Sequence, residues 1–119
     1  MALGLARAAI EFILGESQTR EDLVVPAEAL KSQWYTLRET LLNSVSGREV
    51  ANAEYLRQKC NSLVLRATQS SLVIAKGTGF LSSHLASRWC REALFFLVWS
   101  APQSLINRQL YQLAEVLPD

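Results

Sequence analysis

Residues 46–80 read SGREVANAEYLRQKCNSLVLRATQSSLVIAKGTGF, and this stretch decides the fold class. Its apolar and small residues return every three or four positions, which is the period of one buried helix face. Ser46 and Glu49 have the spacing of a capping box, so we expect a long helix to begin there. It should end at Lys76, because Gly77 and Gly79 follow. The residues expected on its inner face are Leu56, Cys60, Leu63, Ala67, Ser71 and Ile74.

The same helical period precedes this stretch. We expect a first helix over residues 2–14, ended by Gly15, and then a polar loop from Glu16 to Val25. A second helix should carry Pro26 in its first turn, where no N–H partner is missed, and should stop near Ser44. The residues expected to face inward are Ala6, Ile10, Ile13 and Leu14 in the first helix and Leu30, Trp34, Leu37 and Leu41 in the second.

Two further helices are expected after the glycines. The segment Leu81–Ser83 should cross the surface before the fourth helix, and Pro102 should start the fifth. The expected inward residues are Leu85, Trp89, Ala93, Leu94, Leu97 and Val98 in the fourth helix and Leu105, Leu110, Leu113, Val116 and Leu117 in the fifth. The sequence therefore predicts an all-α fold, an up-and-down bundle of four to five antiparallel helices, with residues 1–119 as a single domain.

Composition excludes several function classes. Half of the 119 residues are apolar, which is enough for the core of one domain. Twelve basic and eleven acidic side chains leave a net charge of +1, so we expect no nucleic-acid partner. No apolar run reaches the ~20 residues that cross a bilayer. Arg7 and Glu11 interrupt the apolar start, which argues against a signal peptide, and a cytoplasmic protein is expected.

Few side chains suggest chemistry by themselves. Cys60 and Cys90 lie in apolar helical patterns without metal-ligand spacing, so we expect buried free thiols. His84 is the one histidine, but no residue at relay spacing accompanies it, and a surface or capping position is the simpler expectation. Arg91 and Glu92 are expected to form a solvated pair on a helix.

The run from Leu94 to Trp99 is apolar around the whole circumference of a helix. Such a helix must be covered on both sides, either inside the bundle or by a partner domain or an identical subunit. Because the apolar material is excessive for so small a domain, we expect a homo-oligomer formed by helix packing.

One arrangement is more specific than a helical bundle requires. Gly77-Thr78-Gly79-Phe80, with Arg91-Glu92-Ala93 starting eleven residues after the phenylalanine, resembles the Gly-Gly-x-Gly-Tyr/Phe and Arg-Asp-Ala motifs of acyl-CoA dehydrogenases. In that family the motifs belong to the C-terminal all-helical domain. The small residues from Leu3 to Ala9 are similar to the start of its first helix, and Leu37-Arg38 is similar to part of its second. Lys76 replaces the first glycine of the motif.

The resemblance implies a flavoprotein oxidoreductase that uses FAD and acts on the CH–CH groups of acyl-CoA. This domain would supply an oligomer interface and one wall of the FAD/acyl-CoA cleft. Gly77, Thr78, Gly79 and Phe80 would line the cofactor side, where glycine permits a close backbone approach. The polar segment 100–104 follows the fourth helix. Within it, Gln103 would contact cofactor or substrate.

Two departures from the family limit what this chain is expected to do. Ser100 stands at the position of the usual catalytic glutamate, and a hydroxyl cannot take an α-proton without a base of its own. With Gln103 three residues later, it resembles a helix cap instead. The first helix also lacks the family's Arg-x-x-Phe-Gly cofactor signature. We therefore assign no catalytic residue, and expect acyl-CoA as a partner only when the other domains of such an enzyme are present.

Two alternatives stay open. Flavin monooxygenases built on the same scaffold do not use the glutamate base. A degenerate helical bundle would keep only the packing surface and act as an oligomerisation or protein-interaction module.

Overall fold

The computed structural model describes residues 2–45, 47, 53–76, 80–99 and 101–116. Its helices are α1 (Ala2–Ser17), α2 (Val24–Val45), α3 (Ala53–Ala75), α4 (Phe80–Phe95) and α5 (Gln103–Leu113), with a short 3-10 turn at Glu21–Leu23. No strand occurs within these ranges. The prediction of an all-α helical bundle is confirmed, with five helices.

The third helix is the centre of the bundle. In the described part of the chain it packs against each of the other four helices. All six residues predicted for its inner face are buried. Four of the buried positions on α3 are polar, and the two that carry hydroxyls bond within the helix: Thr68 donates to the carbonyl of Val64 at 2.8 Å, and Ser71 to that of Thr68 at 2.7 Å. Such local bonds let a polar side chain sit in an apolar interior.

Small side chains bring α1 close to its neighbours. Ala6 and Ala9 are fully buried together with Ile13, which lets helix backbones approach over this face. The indole Nε1 of Trp34 on α2 donates to the carbonyl of Leu3 at 2.8 Å and ties α2 to the start of α1. The predicted inner faces of both helices are confirmed, although Leu14, Trp34, Leu37 and Leu41 are only half-buried.

The connection between α1 and α2 differs from the prediction. The first helix continues through Gly15 to Ser17, whose hydroxyl donates to the carbonyl of Leu14 at 2.6 Å. A glycine weakens a helix by about 1 kcal/mol relative to alanine, which does not force it to end. The expected loop is instead short, because the 3-10 turn buries Leu23 and leads directly into α2 at Val24. Pro26 lies in the first turn of α2, as predicted.

The fourth helix begins earlier than predicted. It starts at Phe80, so the segment Leu81–Ser83 lies within the helix and not in a connection across the surface. Its tightest packing uses Ala86 and Ala93, which are fully buried and two helical turns apart. Trp89 lies between them in sequence, half-buried, with its ring edge to face against Phe12 of α1 at 6.1 Å between centroids.

The predicted burial of the end of α4 was wrong for Leu94 and Val98, whereas Leu97 is half-buried against the core. The helix ends at Phe95, and the next residues form tight turns, with the amides of Phe96 and Leu97 bonded to carbonyls three residues earlier. The predicted inward residues that are exposed are Leu85, Leu94 and Val98.

The predicted face of α5 was also largely wrong. Leu105 is buried as expected, but Gln109 is the other buried residue of the helix. The leucines at 110 and 113 and Val116 are exposed by 55%, 61% and 66%. Pro102 is the N-cap residue of α5, so the helix starts one residue after it. Leu117 and the predicted caps at Ser46, Glu49 and Ser100 lie outside the described residues.

None of the helices in the described ranges combines the length and the apolar composition that crossing a bilayer requires.

Replacing Leu63 on α3 by alanine should lower the free energy of unfolding by about 2–5 kcal/mol, because a fully buried leucine leaves a cavity between α3 and its neighbours. Leu42→Ala is the matched control: Leu42 is 52% exposed on α2, and its loss should cost no more than about 0.5 kcal/mol. Urea titrations followed by circular dichroism measure both. Equal losses would contradict the central position of α3.

Candidate functional site

The residues predicted to contact a cofactor lie at two helix starts. Gly77, Thr78 and Gly79 are outside the described residues, between the turn at Lys76 and the start of α4 at Phe80. The side chain of Phe80 is outside the description as well. Gln103 is the first residue of α5 and is exposed; its amide Nε2 donates to Oδ1 of Asn107 at 2.9 Å in the same helix.

The motif residues on α4 divide between core and solvent. Ala93 is fully buried against the bundle, whereas Arg91 and Glu92 are exposed. Glu92 pairs with Arg88, four residues earlier, at 3.4 Å from Nε to Oε1. The expected solvated charges are therefore present, but the partner of Glu92 is Arg88.

Cys60 and His84 lie as expected, whereas Cys90 is less buried than expected. Both cysteines are free; Cys60 is buried, and this burial raises the pKa of its thiol above the ordinary value. Cys90 is half-buried, and its Sγ donates to the carbonyl of Thr68 at 3.2 Å. His84 is exposed on α4. Across the described ranges, no group of three or more His, Cys, Asp and Glu side chains has the arrangement of a metal site.

The most unusual surface of the domain is apolar and lies at the end of α4. We call Leu94, Phe95, Val98 and Trp99 the α4-end patch; each is more than half exposed. The rings of Phe95 and Trp99 stack at 5.1 Å between centroids with 28° between their planes. The two stacked rings therefore form one continuous aromatic surface within the patch.

A groove adjoins this patch. It has a volume of about 540 Å³ and lies between α1 and α4, lined by Gly4, Leu5 and Ala8 on one side and by Glu92, Phe95 and Phe96 on the other. Apart from its chain neighbours and the adjacent backbone of α1, no heavy atom of the described residues lies within 4 Å of the position that a Cβ on Gly4 would take. Small residues on α1 therefore keep space open beside an exposed aromatic surface, which suits an incoming apolar side chain.

The orientation of α5 is set by a polar seam with α3. Asn61, which is 2% exposed, donates through Nδ2 to Oε1 of Gln109 at 2.6 Å and to the carbonyl of Phe96 at 3.0 Å. Gln109 in turn donates to the carbonyl of Leu97 at 2.8 Å. Two side chains thus fix both α5 and the turns after α4, because buried amides require partners.

The seam extends along α3 in both directions. Gln58 donates to Gln112 at 3.1 Å, and Gln112 donates to the hydroxyl of Ser62 at 3.1 Å. Nearer the start of α3, Glu54 accepts a hydrogen bond from Ser104 at 2.9 Å and lies 3.6 Å from Nε of Arg108. Arg57 donates to the carbonyl of Trp99.

The seam explains why the apolar residues of α5 face outward. Its polar partners occupy the face that meets α3, so the leucines at 110 and 113 are left on the solvent side. This seam was not predicted from the sequence. The available signal was an equal spacing of amide side chains on two helices: Gln58 and Asn61 are three residues apart on α3, and Gln109 and Gln112 are three apart on α5.

No family model, curated protein or solved structure matches this chain.

A double-mutant cycle on Asn61→Ala and Gln109→Ala tests the seam. Each single change should cost about 1–3 kcal/mol, because it leaves a buried amide without a partner. The double variant should cost less than the sum, with a coupling energy of about 0.5–3 kcal/mol. Chemical unfolding of all four proteins gives these values.

The control cycle uses Gln103→Ala and Asn107→Ala, whose amides form an exposed bond in one helix. Its coupling should not exceed about 0.5 kcal/mol. Additive losses at Asn61 and Gln109 would mean that the amide pair does not position α5.

Proposed function

We propose that these residues form the C-terminal helical domain of an acyl-CoA dehydrogenase-like flavoprotein, a cytoplasmic oxidoreductase that acts on the CH–CH groups of acyl-CoA. The observation that carries this proposal is the spacing from Phe80 to Arg91-Glu92-Ala93 after a long helix that stops just before two glycines. The helix bounds support it, because α3 ends at Ala75 and α4 begins at Phe80. The glycines therefore stand in the sequence between the end of one helix and the start of the next, as in the family motif.

In this proposal the domain supplies one wall of a cleft. Gly77, Thr78, Gly79 and Phe80 approach FAD, and Gln103, which is exposed at the start of α5, contacts cofactor or substrate. The remaining walls come from other domains of such an enzyme, since a flavin with its nucleotide tail needs a deep pocket. The grooves that the described residues form are open surface features and not a deep pocket of this kind.

The proposal assigns no chemistry to this domain alone. Ser100 stands where the family has its glutamate, and the base that removes the α-proton would belong to another part of the enzyme. Acyl-CoA is accordingly a partner of the assembled enzyme.

Replacement of Gly79 tests the cofactor wall. The protein expressed from its complete reading frame should carry flavin absorbance through gel filtration, and Gly79→Ala should weaken FAD binding by about tenfold or more without unfolding, because a Cβ obstructs the close approach. Gly15→Ala is the control: space is open around Gly15 within α1, so that variant should keep its flavin and gain up to about 1 kcal/mol of stability.

A colourless complete protein would contradict the flavoprotein proposal. If flavin is bound and Gly79→Ala retains it, the glycine only ends a helix.

A second function is favoured by the α4-end patch. An exposed aromatic cluster beside an open groove is typical of a surface that another protein covers. We propose that the domain associates with further copies through this patch, by helix packing. This would serve the flavoprotein as its oligomer interface, and it would be the whole function of a degenerate bundle acting as an interaction module.

Sedimentation of the chain and of its variant Trp99→Ser tests the association. The original chain should sediment as a dimer or larger species, and the variant should shift toward monomer with unchanged helix content, because a hydroxyl replaces an exposed indole at the contact. Leu42→Ser, which removes a side chain that is 52% exposed on α2, should leave the mass unchanged. Monomeric behaviour of the original chain would refute the proposed interface.

A further inference from the structure

Three donor side chains lie on the solvent-facing side of α3. Lys59, Ser62 and Arg66 follow at spacings of three and four, which brings them to one helix face. All three line one groove of about 450 Å³, between α3 and α5. The groove is bordered by the polar seam, whose amides Asn61, Gln109 and Gln112 are held by hydrogen bonds in its walls.

The guanidinium of Arg66 is held in place by neutral partners. Its Nη1 donates to Oε1 of Gln33 on α2 at 2.6 Å, and its Nε donates to the hydroxyl of Ser62 at 3.2 Å. Partial desolvation lowers the pKa of Arg66 below its ordinary value, but no carboxylate pairs with it in the described ranges. The Nη2 group has no protein acceptor there, and its two N–H bonds remain to donate.

The hydroxyl of Ser62 is also left as a donor. Its oxygen accepts hydrogen bonds from Nε of Arg66 at 3.2 Å and from Nε2 of Gln112 at 3.1 Å. A serine oxygen has two lone pairs, and both are then engaged. The O–H proton must therefore point to another acceptor, and within the described residues none takes it.

Lys59 supplies the second positive charge. Its Nζ lies 5.2 Å from the centroid of the Tyr55 ring, an arrangement that holds the flexible side chain over one aromatic face. No carboxylate pairs with Lys59 among the described side chains. The acidic residue that lines the groove is Glu115, just after α5, where it is exposed.

We propose that this groove binds a phosphate-type oxyanion, held by Nη2 of Arg66, the hydroxyl of Ser62 and Nζ of Lys59. Two positive charges match a dianion, and donors from three side chains suit a tetrahedral group better than a planar carboxylate. A single phosphate group is the expected ligand and not a polyanion, because the whole chain carries a net charge of only +1. The site is independent of the flavin proposal.

Titration of the chain with inorganic phosphate, at constant ionic strength balanced with chloride, tests the site. Saturable shifts of the amide resonances of residues 59–69 are expected in a heteronuclear NMR spectrum. Arg66→Gln should weaken binding about tenfold, the loss expected for one charge-assisted hydrogen bond. Arg38→Gln removes the same charge from an exposed position on α2 outside the groove, and its affinity should equal that of the original chain.

Two further variants keep the test decisive if Arg66→Gln affects folding. Lys59→Gln removes a charge without breaking a bond between helices and should also weaken binding several-fold. Glu115→Gln removes a negative charge that borders the groove and repels phosphate, so this variant should bind phosphate more tightly. Unsaturable shifts, or equal affinity in Lys59→Gln and Arg38→Gln, would overturn the proposal.

A second arm replaces inorganic phosphate by glycerol phosphate, a phosphate monoester. Equal or tighter binding of the ester would show that the groove accepts a phosphate carried by a larger molecule. Tenfold weaker binding would show that it takes the free ion.

Discussion

The buried amide of Asn61 is the constraint on which the second half of the structure depends. It lies on the central helix, where water cannot satisfy it, so both of its N–H bonds need protein partners. They donate to the side chain of Gln109 and to the carbonyl of Phe96, and the amide of Gln109 donates to the carbonyl of Leu97. These bonds fix α5 and the turns before it against α3. The bundle is therefore an apolar core of α1 to α4, with a fifth helix attached through polar groups and the buried Leu105.

Sequence periodicity was sufficient where burial is apolar. The inner faces of α1, α2 and α3 follow it, because leucine, isoleucine and alanine at helical spacing have no better place than the core. It failed at α5, where Leu110 looks more suitable for burial than Gln109, yet the glutamine can pair with Asn61 across the interface. The apolar period describes each helix separately, so it cannot show which polar side chains pair between two helices. The excess of apolar residues near the end of α4 was visible in the sequence, but which of them face solvent depends on where that helix tightens into turns.

The candidate functional features follow from this arrangement. Because the seam holds α5 by its polar side, apolar residues of α5 and the α4-end patch remain on the surface, where another protein can cover them. The same seam borders the groove that carries Arg66 and Lys59. The proposed cofactor segment, Gly77 to Phe80, was found through a family motif and not through a contact pattern; α3 ends before it at Ala75, and α4 begins at its last residue. Association, cofactor approach and anion binding are thus assigned to different surfaces of one small domain.

The central claim is that the surface left open by the seam is the one that another chain covers. Hydrogen exchange measured by mass spectrometry on dilute and concentrated samples of the chain tests this claim most directly. We expect the backbone amides of residues 94–99 to exchange more slowly in the concentrated sample, while those of α2 exchange at the same rate in both samples. Slowing confined to α2, or no change anywhere, would contradict it.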